Sequence, residues 1–176
     1  IGFSGQMHGL VALGAENEVL TPAILWCDQR TQEECDEITA HFGQERLSAY
    51  TGNKALTGFT APKILWVKKN LPEVFSKIKH IMLPKDYLRL WLTGEHVAEM
   101  SDAAGTSWLD TGARDWSSDL LAATGMTRAQ MPRLVEGAAA AGRLRADLAA
   151  EWGLSGSVTV AGGAGDNAAA ACGIGA

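Results

Sequence analysis

Residues Val158 to Gly175 read VTVAGGAGDNAAAACGIG, and this stretch decides the fold class. Val158, Thr159 and Val160 are β-branched and read as a short buried strand. Gly162, Gly163 and Gly165 allow a sharp turn and the close approach of another group. Asp166 and Asn167 then fall where a helix N-cap is expected, ahead of alanines with high helix propensity. A strand, a glycine turn, one carboxylate and a small-residue helix predict an α/β domain. The acid lies at the carboxyl end of a strand, where such sheets place ligands. Two roles stand open for Asp166, helix cap and general base. Asn167 has the same capping alternative, and as a donor and acceptor it also suits a polyol.

Two polar interruptions near the start of the chain offer partners for that acid. Ile1 to Ser4 reads as the middle of a strand, followed by Gln6-Met7-His8 between Gly5 and Gly9. Polar residues directly after a buried strand face a cleft. His8 can hydrogen-bond a sugar hydroxyl or act as a base, against a satisfied structural histidine. Met7 reads as core or pocket wall. In Trp26-Cys27-Asp28-Gln29-Arg30, Trp26 is either one wall of a sugar pocket or a core residue beside a solvated charge cluster. The opening as a whole reads as a β-meander through Leu10–Leu13 and Pro22–Trp26.

From Thr31 the period changes. Helices are expected from about Thr31, over Ala61–Val67 with Pro62 in the first turn, over Glu73–Ile78, and over Pro84–Leu92 ended by Gly94. His96–Met100 reads as extended and Ser101–Thr106 as a small-residue loop. Asp115–Ala123, Gln130–Leu134 and Leu144–Trp152 read as helical, and the 138–141 alanines as loop or helix end. The order implies a single α/β domain over 1–176 whose sheet is interrupted by a mostly helical elaboration over 31–152.

The chain of 176 residues suffices for one core, and 47% hydrophobic with 20% charged residues is ordinary for a globular protein. A net charge of −5 gives no general attraction to nucleic acid or anionic lipid. No apolar run is long enough to span a bilayer. Cys27, Cys35 and Cys172 have neither CxxC spacing nor paired histidines. They read as packing residues in a reducing cytoplasm, with no metal site. A GxGxxG fingerprint is not matched, because Ala168 stands where its third glycine belongs. Ile1 opens in mid-strand and Ile174-Gly175-Ala176 closes inside a helix, so the chain reads as a piece of a longer protein.

Gly58-Phe59-Thr60-Ala61-Pro62-Lys63-Ile64-Leu65-Trp66-Val67-Lys68-Lys69-Asn70 resembles the first signature of the FGGY carbohydrate kinase family, with every place of the pattern met. Read physically, it is a helix with Ile64, Trp66 and Val67 packed inward. The resemblance extends over the whole chain, through Ser4–Gly9, Pro22–Trp26, Leu83–Arg89, Met100–Thr106 and Gly165–Ala169. Met7-His8, where glycerol-specific members carry an Arg-Glu pair, narrows it to members that act on D-xylulose. The resemblance implies the ribonuclease H-like, actin-type ATPase fold. It implies that Asp166 is the catalytic base for transfer from ATP, with Mg, to the sugar's terminal hydroxyl. Met7, His8, Trp26 and Asn167 would line the sugar pocket. The parts that handle ATP phosphates, Mg and adenosine would lie outside this chain. The substrate partners are then a small sugar and ATP, with a homodimer left open. Another FGGY sugar or polyol kinase, a non-catalytic sugar-binding fragment and a dinucleotide module on Gly162–Gly165 are the alternatives.

Overall fold

Local chemistry sets most helix starts and stops in the computed structural model, which describes residues 1–154 and 157–175. The chain opens with β1 (Ser4–Gly5) and β2 (Val11–Leu13), then α1 (Gln32–Phe42) and α2 (Gln44–Thr51). Next come α3 (Thr60–Asn70), α4 (Pro72–Phe75), β3 (His80–Met82) and α5 (Pro84–Thr93). Pro72 and Pro84 stand in the first turns of their helices, where a missing N–H costs nothing. Beyond α5 lie β4 (Val97–Glu99), α6 (Met100–Ala103), β5 (Leu109–Asp110), β6 (Asp115–Trp116) and α7 (Ser118–Ala123). The chain continues through β7 (Arg133–Val135), β8 (Ala140–Arg143), α8 (Ala146–Glu151), β9 (Thr159–Ala161), β10 (Ala164–Gly165) and α9 (Asp166–Ile174).

Pairing, rather than local pattern, corrects several expectations. The opening is only partly a meander: Leu10 and Leu13 bridge to Ile24 and Val19, but the partner of β2 is the distant β3. Residues 133 and 134, the end of the helix expected over Gln130–Leu134, instead belong to β7, in parallel pairing with β4. Residues 140 and 141, part of the 138–141 stretch expected as loop or helix end, open β8, which pairs with β9. The alanines and glycine of β8 are poor strand formers, and cross-strand partners override that preference. Ser101–Thr106 is not a loop. Glu99 accepts from the Ser101 and Asp102 backbone N–H groups, caps α6, and a 3-10 turn over Ala104–Thr106 follows. α9 ends at Ile174, with Gly175 in the left-handed region (φ 75); Ala176 lies outside the described residues.

The main core packs Leu47, Ile64, Val67 and Leu120 of the helices with Trp108 and with Ala12, Ile81 and Ala98 of strands β2, β3 and β4. Trp108 is fully buried and its indole N–H donates to the Thr124 hydroxyl at 2.9 Å. In the signature segment, Ile64 and Val67 are buried as expected, but Trp66 is only half-buried, under the Arg30 guanidinium at 4.6 Å. Lys63 is buried instead. Of the cysteines, only Cys35 packs inside; Cys27 and Cys172 are exposed. No helix among the described residues is long and apolar enough to cross a membrane.

A second buried feature is ionic. Lys85, Asp86, Arg89, Glu99 and Asp102 are each no more than 3% exposed. The Lys85 ammonium lies 2.7 Å from Asp86, 3.5 Å from Glu99 and 3.4 Å from Asp102. Arg89 reaches Asp86 at 2.8 Å, and donates to the Val97 carbonyl at 2.5 Å and to the Gly162 carbonyl. Removing one partner from such a cluster strands a buried charge. Arg89→Met is therefore expected to lower the free energy of unfolding by about 3–5 kcal/mol. Arg46→Met, which breaks the exposed pair with Asp119, should cost less than about 1 kcal/mol. Urea midpoints of the two variants check the contrast; equal losses would contradict it.

Candidate active site

Parallel pairing of β1 with β10, Ser4 opposite Ala164 and Gly5 opposite Gly165, makes the site. Both strands end on the same side. The Gln6–Gly9 turn and the start of α9 therefore leave their carboxyl ends next to each other, as in other α/β ligand sites. The Leu10–Ile24 bridge carries the following segment back beside them. Met7, His8, Trp26, Asp166 and Asn167 line one cavity of about 150 Å³. At a liquid share of about 30 Å³ per water, that is room for about five waters or one small polar molecule. All five residues singled out from the sequence are brought together there, and among the described residues Asp166 is the only carboxylate in the wall.

Asp166 does not cap α9. Gly165 occupies the N-cap, no side chain caps the helix, and Asp166 is its first residue. Its carboxylate accepts only the adjacent Asn167 N–H, at 3.0 Å, and is otherwise exposed toward the cavity mouth. A capping side chain accepts from the N–H groups of the first turn; beyond the Asn167 N–H, the Asp166 carboxylate has no hydrogen-bond partner among the described residues.

His8 is half-buried with φ 71, a left-handed conformation uncommon outside glycine. Its ring packs edge-on to Phe59, with centroids 4.6 Å apart. Burial, reinforced by the nearby Lys63 charge and opposed by Asp166, pulls its pKa down to about 4. The imidazole is therefore neutral at pH 7, with one nitrogen a donor and the other an acceptor. Trp26 is 55% exposed, so its indole is a wall of the cavity and not a core residue. The charges beside it are a local pair: Arg30 grips Asp28 at 2.7 Å and holds that carboxyl below its ordinary range.

Two glycines make room for these side chains. A Cβ on Gly165 would stand 2.6 Å from Met7 Cγ, and one on Gly105 would stand 2.4 Å from His8 Cδ2. Gly105 was not legible as a site residue, although it lies in the Met100–Thr106 segment. Ser101 in that segment was also missed. Its hydroxyl accepts the Gly165 N–H at 3.2 Å and contacts the Glu99 carboxylate at 2.9 Å, which ties the turn before Asp166 to the buried ions. Lys63 and Thr60 both donate to the His8 carbonyl, at 3.2 and 3.0 Å.

A larger cavity, about 580 Å³, borders the same turn through Gly163, Ala164 and Ala168 and is open beside Ser101 and Arg114. Its wall does not include Asp166. Among the described residues no three His, Cys, Asp or Glu side chains gather as a metal-binding group.

Known proteins are similar to this chain over nearly its whole length. The xylulose kinase of Escherichia coli (strain K12) is 51% identical over 175 residues, 99% of this chain and 36% of that protein. The xylulose kinase of Bacillus subtilis (strain 168) is 45% identical over 175 residues, 99% of this chain and 35% of that one. In crystal structures, a xyloylose kinase from Brucella ovis superposes with a TM-score of 0.95 at 61% identity, over 98% of this chain and 35% of the other. A ligand-bound xylulose kinase from Lactobacillus acidophilus gives 0.92 at 26% identity, over 100% and 36%. The chain spans about a third of the length of these relatives, and its α/β fold is the actin-type ATPase fold they share. Residues 1–173 match the N-terminal domain of the FGGY family of carbohydrate kinases, and the chain belongs to that family.

Proposed function

We propose that the complete protein phosphorylates D-xylulose to D-xylulose 5-phosphate with ATP, and that this chain supplies the sugar pocket and the base. The observation that carries the reading is the single small cavity in which Asp166 faces Met7, His8, Trp26 and Asn167. The terminal hydroxyl of the sugar attacks the γ-phosphorus, the bond from that phosphorus to the β,γ-bridging oxygen breaks, and ADP leaves. The hydroxyl proton passes to the Asp166 carboxylate. The neutral His8 imidazole and the Asn167 amide hydrogen-bond the other hydroxyls, while Trp26 and Met7 cover the carbon skeleton. The small residues before Asp166 allow close approach to the sugar. Residues 1–176 act as one domain, with 31–152 its mostly helical elaboration. Mg²⁺, held mainly by ATP phosphates with one or two carboxylates, fits this scheme. A cytoplasmic location and a homodimer are compatible with it.

Asp166→Asn in the complete protein is expected to lower kcat by about 10²–10⁴, the usual range for a lost general base, while D-xylulose still binds. Rapid-quench assay with calorimetric titration separates the two effects; near-normal turnover would remove Asp166 from the role. His8→Ala should raise KM for D-xylulose about tenfold, about 1.4 kcal/mol of lost binding, with a smaller effect on kcat. A substrate panel completes this test, since preference for another ketose or a polyol would contradict the substrate assignment.

His8 also fixes a pH dependence. Its folded pKa of about 4 lies below the ordinary 6.5, so between these values the unfolded chain binds more protons than the folded one. Stability therefore falls as pH drops from about 6.5 to about 4. Asp102, which burial pushes up to about 7, acts with the opposite sign across much of that window. The difference between the unmodified protein and His8→Gln isolates the histidine. Urea midpoints at pH 7 and pH 5 should converge for the two proteins as the pH falls, and a constant gap would contradict the assignment.

A further inference from the structure

Lys63 is the signature lysine of the FGGY pattern, and it is fully buried, at 0% exposure. It forms no ion pair among the described residues; the carboxylate that influences it most, Asp28, lies beyond contact. Its ammonium donates instead to three backbone carbonyls, of His8 at 3.2 Å, of Phe59 at 3.2 Å and of Gly58. An ammonium has three donors and no acceptor, so this set satisfies it completely. Burying a cation without a counter-ion is costly, and three convergent carbonyls are what make the site tolerable. Those carbonyls belong to two separate segments: the turn that carries Met7 and His8, and the entry to α3.

The His8 carbonyl has a second donor, the Thr60 hydroxyl at 3.0 Å. His8 itself holds φ 71, a conformation that a non-glycine residue keeps only when its surroundings over-determine it. Phe59, between Gly58 and Thr60, presents its ring to the imidazole. Neither Lys63 nor Thr60 lines the cavity. We infer that Lys63, with Thr60, is a positioning residue for the sugar pocket: it fixes the His8 carbonyl and thereby aims the His8 and Met7 side chains at the space in front of Asp166. This rests on the proposal that those side chains contact the sugar. It also gives the signature a task in recognition, beyond packing α3.

The test uses the complete protein carrying Lys63→Met, Lys63→Arg or Thr60→Val, each alone and combined with His8→Ala. KM for D-xylulose is expected to rise about tenfold in Lys63→Met and about threefold in Thr60→Val, with kcat and KM for ATP moving less than about twofold. Lys63→Arg, which keeps the charge, should recover part of the loss. Added to His8→Ala, either change should cost less than about a further twofold, because positions that act through one another are not additive. An unchanged KM for the sugar, an equal rise in both KM values, or full additivity with His8→Ala would overturn the inference. Should Lys63→Met not fold, Thr60→Val and its double variant decide the matter by the same criteria. Should the unmodified protein not phosphorylate D-xylulose, the functional proposal fails, and NMR titration of the His8 ring judges this inference separately. Its midpoint should move up from about 4 in Thr60→Val as the ring loses its fixed place; an unmoved midpoint would overturn the inference.

Discussion

The buried guanidinium of Arg89 is the constraint on which the site depends. It joins three pieces that are far apart in sequence: its own helix α5, strand β4 through the Val97 carbonyl, and the glycine turn through the Gly162 carbonyl. Around it stand one further cation, Lys85, and three carboxylates, Asp86, Glu99 and Asp102, all within the protein interior. Such a cluster costs desolvation and adds little to stability compared with apolar packing of the same volume. What it supplies is direction, since charges need particular partners where apolar groups accept any close neighbour. The excess of one carboxylate matches the behaviour of Asp102. Burial raises it to about 7, Asp86 and Glu99 push the same way, and Lys85 at 3.4 Å opposes.

From this cluster two connections lead to the turn before Asp166. Arg89 holds the Gly162 carbonyl, and Glu99 reaches the Gly165 N–H through the Ser101 hydroxyl. On the opposite side of the cavity another buried cation, Lys63, holds the His8 carbonyl. The turn before Asp166 and the Met7–His8 turn thus each lean on a buried positive charge that does not itself face the cavity. Glycines at 105 and 165 leave the gap into which His8 and Met7 fit. Rigid support of this kind places reacting groups without adding anything that competes for the substrate.

The sequence made the face of the site legible and hid its support. Asp166 stood out because a lone carboxylate in a run of glycine and alanine has few structural reasons to be there. His8 and Trp26 stood out as polar or aromatic interruptions after strand patterns, and the resemblance to FGGY kinases assigned Met7, His8, Trp26 and Asn167 to the pocket. Lys63, Arg89 and Glu99 did not, because such residues are usually at the surface and nothing local marks the exceptions. The helical reading of 130–134 and the loop reading of 138–141 failed for another reason. Strand β7 is only three residues long and β8 has weak intrinsic preference, and both exist through their pairing with β4 and β9. The capping role left open for Asp166 was ruled out only by the position of Gly165.

The account stands or falls on where a bound sugar sits. A crystal structure of the complete protein with D-xylulose is the most direct measurement. The account predicts the sugar in the cavity between Trp26 and Asp166, with its terminal hydroxyl oxygen within about 2.6–3.2 Å of the Asp166 carboxylate. It also predicts the His8 ring within hydrogen-bond reach of another hydroxyl. A sugar seated in the larger cavity beside Arg114, or one whose terminal hydroxyl points away from Asp166, would contradict it.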